Sequence, residues 1–133
     1  MDRIELPWPP RELSPNSRKD RRHTGDKRKA YKTACWTVAK AGKFRASHLD
    51  ITFHPPDGRK RDLDNMLGSI KYGLDGIALA MGVDDSEWSI TIRKGDPCRP
   101  NGKVIVRNYW RSCWRWLDEL IFLLGLTLNT SNL

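Results

Sequence analysis

Residues 49–82 read LDITFHPPDGRKRDLDNMLGSIKYGLDGIALAMG. The opening alternates: Leu49, Ile51 and Phe53 are apolar, while Asp50 and Thr52 are polar. A period of two belongs to a strand with one face buried. Pro55-Pro56-Asp57-Gly58 ends that strand, because proline removes backbone donors and Asp-Gly favours a turn. After Arg59-Lys60-Arg61-Asp62-Leu63-Asp64-Asn65 the period changes. Met66, Leu67, Ile70, Leu74, Ile77, Ala78 and Met81 recur at helical spacing, which predicts a single helix packed on a core. Asp64 or Asn65 is placed to cap its start, and Gly82 to stop it.

Upstream, Ile4 and Leu6 alternate with polar neighbours, and Pro7-Trp8-Pro9-Pro10 closes that short strand. A helix is predicted over residues 27–41, with Tyr31, Ala34, Cys35 and Val38 on one face. Downstream, Trp88, Ile90 and Ile92 form one strand and Val104 and Val106 another. Pro100-Asn101-Gly102 between them predicts a hairpin. The order β, α, β, α, β, β predicts an α/β (α+β) domain with a small mixed sheet and two main helices, over residues 1–108. A chain of 133 residues suits one core. In residues 109–133, Trp110, Trp114, Leu117, Ile121, Leu124 and Leu128 step by helical turns, with Cys113, Trp116, Leu120 and Leu123 beside them. That predicts an extra amphipathic helix, not an independent domain, docked on this domain or on another subunit rather than on a membrane surface.

Lys and Arg number 24 against 16 Asp and Glu, a net charge of +8 with a pI near 9.7, which favours a polyanionic partner. Between Arg18 and Lys29 alone there are seven basic and two acidic residues. The cysteines Cys35, Cys98 and Cys113 are odd in number and widely spaced, which argues against a disulfide framework or a zinc site and for a reducing compartment. No secretory signal is expected in MDRIELPWPP, and the apolar run Leu120–Leu128 is too short to span a bilayer. A cytoplasmic protein without a membrane span is the expectation.

Three acids stand out: Asp62, Asp64 and Asp85. In extended chain, positions two apart project to the same side, so Asp62 and Asp64 can address one point at the strand-to-helix junction. Asp84-Asp85 follows one helix later, and convergence with the first pair cannot be read from spacing. Phosphodiester hydrolysis needs a nucleophilic water beside an anion and compensation for growing negative charge, work that Mg²⁺ held by carboxylates does. Asp before a helix is equally an ordinary cap, and Asp-Asp an ordinary exposed turn. The contrast tips the balance: the acidic pair follows Arg59-Lys60-Arg61 in a strongly basic chain. No Ser-His-Asp or Cys-His grouping, Walker loop or GxGxxG occurs. Trp8 and Trp88 are read as packing residues, His48 and His54 as solvent or strand-end residues, and His23 as part of the basic arm.

Leu6-Pro7-Trp8-Pro9-Pro10, Arg61-Asp62-Leu63-Asp64-Asn65 and Val83-Asp84-Asp85, in this order, resemble the RusA family of Holliday junction resolvases over about residues 4–107. The resemblance implies a homodimeric endonuclease, frequent in phages and prophages, that uses Mg²⁺ or Mn²⁺ and resolves four-way DNA junctions by paired nicks in recombination and repair. It implies that Asp62, Asp64 and Asp85 are catalytic metal ligands and that Asn65 braces the turn. The family commonly has a lysine four residues after the second Asp of its DLDN motif. Gly68 stands there, and Lys71 is the candidate replacement, with an ordinary exposed lysine as the other reading. Arg18, Lys19, Arg21, Arg22, Lys27, Arg28, Lys29, Arg59, Lys60 and Arg61 are the expected phosphate contacts. The rival expectation is a branched-DNA-binding protein that does not cut. A basic scaffold or RNA-binding module is a third, and it would show no preference for junctions.

Overall fold

The computed structural model describes residues 3–17 and 24–108. The expected basic arm at Arg18, Lys19, Arg21, Arg22 and His23, and the expected helix in residues 109–133 with Cys113, lie outside the described residues. Alternation produces strands where expected: β1 is Arg3–Pro7, β2 His48–His54, β3 Ser89–Lys94 and β4 Lys103–Asn108. The helices are α1, Gly25–Ala41, α2, Leu63–Ser69, and α3, Lys71–Met81. Short 3₁₀ turns occupy Arg11–Leu13 and Asp85–Glu87. The fold is a mixed α/β domain, as the element order predicted.

The four strands form one sheet in the order β1-β4-β2-β3. Strand β4 lies antiparallel to both β1 and β2, whereas β3 runs parallel to β2. The expected β3–β4 hairpin is therefore overturned, because β2 lies between the two strands. Backbone bonds from Gly95 to Phe53, at 2.8 Å, and from Cys98 to Pro55, at 2.8 Å, carry the connecting loop across the end of β2. Gly102 passes so close to Pro56 that a Cβ would lie 2.8 Å from its nitrogen. The crossing lets β2 pair along both edges, which satisfies the backbone of a strand whose Leu49, Ile51 and Phe53 are fully buried.

Leu49, Ile51 and Phe53 of β2, Val104 and Val106 of β4, and Ile4 and Leu6 of β1 share one sheet face and are buried. Tyr31 and Cys35 of α1 and Leu74 and Ile77 of α3 belong to the same core. The two helices approach at glycines: a Cβ on Gly76 would lie 2.3 Å from the Lys32 carbonyl oxygen. The Tyr31 hydroxyl donates to the Pro7 carbonyl at 2.9 Å, tying α1 to the end of β1.

The single helix expected after Asp64 is broken at Ile70 (φ −96°, ψ 5°). The Ser69 hydroxyl donates to the Asn65 carbonyl at 2.8 Å, and the Ile70 amide bonds Leu67 at 3.2 Å, so the last turn of α2 tightens. The cap is also corrected: Asp62, with extended backbone, is the residue before the first helical one, rather than Asp64 or Asn65. Gly82 ends α3 with φ +71°, a conformation glycine adopts without penalty. Among the described residues no helix is long and apolar enough to cross a membrane.

Candidate active site

The turn after β2 is built around Asp57. Its carboxylate accepts from the Arg59 amide at 3.0 Å and from the Arg61 guanidinium at 2.7 Å. The hydrogen bond from Arg61 comes first, then that from the Arg59 amide, in holding its carboxyl down at about 2. The Arg61 guanidinium lies 5.7 Å from the centre of the Trp8 ring, and Trp8 meets Phe53 edge-on at 6.4 Å. Trp8 thus packs on the core as expected, and also anchors a basic loop through a cation–π contact.

Between that loop and the chain after β1 lies a cleft of about 820 Å³. Trp8, Arg11 and Asn16 line it from the N-terminal side, and Arg59, Lys60, Arg61, Asp62 and Asn65 from the other. Asp62 occupies the N-cap position of α2, yet its side chain makes no cap hydrogen bond. Its carboxylate is exposed, as is that of Asp64 in the first turn. An aspartate in that position normally spends its carboxylate on a backbone amide. Here the carboxylate makes no cap bond and Asp62 lines the cationic cleft.

Asp85 has different company. It begins the 3₁₀ turn before β3, and its carboxyl is raised above the ordinary value by desolvation and by the carboxylates of Asp84 and Asp75. Asp84 is lowered, first by the Ser86 amide that its Oδ1 accepts from at 3.0 Å. Among the described residues no three His, Cys, Asp or Glu form a group that could hold a metal ion, so Asp62, Asp64 and Asp85 do not meet as one. A narrower donor set does fit. Mg²⁺ is commonly held by one or two carboxylates, with waters and substrate phosphate completing its shell. Asp62 supplies one that lines the cleft, whereas Asp64 is already helical and does not line it. The expectation that an extended run aims both at one point is thereby corrected, and Asp64 is the exposed carboxylate two residues on.

Lys71 is exposed at the start of α3, beyond the break, and does not line the cleft. The position at which the resemblance led one to expect a lysine is closed: a Cβ on Gly68 would lie 2.6 Å from Cγ of Pro15. Of the remaining expected contacts, Lys27 pairs with Glu12 at 2.6 Å, Arg28 lies 5.0 Å over the Tyr72 ring, and Lys29 is exposed. His48 and His54 bond Thr91 and the Asp96 carbonyl, each at 2.8 Å, at opposite ends of β2. Sequence reasoning passed over Arg11, Asn16, Asp57 and Asp75. Asp75 had a signal, as the one acid in the apolar stretch 66–81. Arg11 and Asn16 had none, since only folding brings their segment against the basic loop.

No family model matches the chain. An uncharacterized protein of Xylella fastidiosa (strain Temecula1) is 33% identical over 117 residues, spanning 80% of this chain and 74% of that protein. The two belong to one family. The Xylella relative's name assigns no chemistry.

Proposed function

We propose that the protein is a RusA-like, divalent-metal-dependent endonuclease acting on branched DNA. The observation that carries this is Asp62: an N-cap aspartate that does not cap, next to exposed Asp64, on a cleft lined by Arg11, Arg59, Lys60 and Arg61. Asp62 and Asp64 would hold Mg²⁺ or Mn²⁺. When bound, the ion supplies charge neutralisation at the phosphate and acidifies a nearby water. The chain's cations attract and orient the DNA backbone. In the net reaction, water adds to phosphorus, the P–O3′ bond breaks, and the 3′ oxygen leaves with a proton, giving 5′-phosphate and 3′-hydroxyl ends. Two symmetric nicks require two sites, which a homodimer provides. The free thiols of Cys35 and Cys98 accord with a reducing, cytoplasmic setting.

The test is a synthetic four-way junction with Mg²⁺ or Mn²⁺. Wild type is expected to nick opposing strands symmetrically, and Asp64→Asn to bind the junction without nicking it. Binding without cleavage by wild type at every metal concentration supports the second reading, a branched-DNA-binding protein. That reading is favoured by Asp85 standing apart and by the closed position at Gly68.

A further inference from the structure

We infer that the cleft between the chain after β1 and the basic loop after β2 binds one unpaired strand of DNA beside the cutting site. The inference rests on the nucleic-acid part of the proposed function and adds the form of DNA that the cleft takes. Size is the first argument. A volume of about 820 Å³ is that of sites for single small ligands, which run to about 1,000 Å³, so the cleft can enclose a few nucleotides of one strand but cannot enclose a double helix.

Wall chemistry is the second. Pro9, Pro10 and Pro56 line the cleft with carbon and offer no backbone donors, and Trp8 adds an aromatic surface. Single strands are held by cations along the backbone combined with flat apolar surfaces for the bases. The third argument is the state of the cations. Arg61 is committed to Asp57 and Trp8, so it shapes the wall. Arg11 and Lys60 are exposed and have no ion pair among the described residues, and Arg59 has only a long contact of 3.9 Å to Asp57. These charges are open to phosphates. Because Asp62 lines the same cleft, a strand seated there passes the proposed cutting site. At a branch point the duplex arms part, and an unpaired segment is what such a cleft can reach.

The experiment measures binding of a fluorescent eight-nucleotide thymidine strand, in EDTA so that no cleavage intervenes. Arg11→Ala/Lys60→Ala is expected to weaken binding at least tenfold. Its salt slope should fall by about 1.4, the loss of two single-strand phosphate contacts. Lys40→Ala/Lys43→Ala, equal in charge and exposed at the end of α1, is expected to bind as wild type does. Thermal midpoints of both variants should match wild type. A strand carrying 5-iodouracil should photocrosslink within residues 8–16 or 56–65. No binding by wild type, equal weakening by the two variants, or crosslinks confined elsewhere overturns the cleft assignment. The two proposals fail separately. Junction nicking with unaltered strand binding in the cleft variant sinks the inference alone, whereas cleft-dependent strand binding without nicking sinks the nuclease alone.

Discussion

Asp57 illustrates how a turn residue governs a site it does not enter. Its carboxyl titrates at about 2 in the fold against 3.8 in the free state, so the unfolded chain binds more protons between those values. Its contribution to stability is therefore present above about pH 4 and is lost as pH falls toward 2. Asp57→Asn should lower the urea midpoint at neutral pH, and the gap to wild type should close over that acid window. A gap independent of pH would show that the Arg61 contact is not what Asp57 contributes. Asp85 has the opposite sign. Its folded carboxyl is raised, so its ionisation costs stability as pH rises above 3.8. In Asp75→Asn, carboxyl NMR should find Asp85 titrating lower than in wild type. An unmoved Asp85 would mean that the Asp75 charge does not reach it.

At the scale of elements, the α1–α3 contact and the broken α2–α3 helix set where the acids stand. Gly76 faces backbone, not a flexible side-chain tip, and at Gly73 a Cβ would meet the Tyr31 ring at 2.7 Å and the Cys35 sulfur at 2.8 Å. Gly76→Ala must push the helices apart. It should cost about 1–3 kcal/mol by denaturant unfolding, the usual range for overpacking. An unchanged midpoint would contradict this close approach. The break at Ile70 makes Lys71 the first residue of a second helix, and it does not line the cleft that Asp62 lines. Helical spacing predicted one helix across both segments, and of its apolar residues Met66, Ile70, Leu74, Ile77 and Ala78 are buried while Leu67 and Met81 are half-buried. The break depends on a Ser69 hydroxyl competing for a carbonyl, which apolar periodicity does not register.

For the whole molecule, a net charge of +8 predicts association with DNA that depends steeply on salt. If six or more phosphates are contacted, junction affinity should fall by roughly a thousandfold or more between about 50 and 200 mM salt. A nearly flat dependence would argue that the basic surface is merely solvating. The charge is also unevenly used. Arg61, Lys27 and Arg93 are spent on Asp57, Glu12 and Asp50, leaving Arg11, Lys60 and the long-contact Arg59 around the cleft for a partner. The same accounting explains why a count of basic residues in the sequence could not single out the relevant ones.

What the chain's letters determined by themselves were the local periods: strands at Leu49–Phe53 and Val104–Val106, a helix at Tyr31–Val38, helical spacing from Met66 to Met81 though not the break within it, and an acidic pair behind a basic run. These are properties of neighbours along the backbone, where alternation and helical spacing act directly. Which strand lies beside which, and which charges share a cleft, was decided only in three dimensions. β2 separates β3 from β4, Pro15 fills the space over Gly68, and Arg11, Trp8 and Lys60 come to line one cleft. Each depends on segments distant in sequence competing to cover the same apolar surface, and that competition leaves no periodic trace in the sequence.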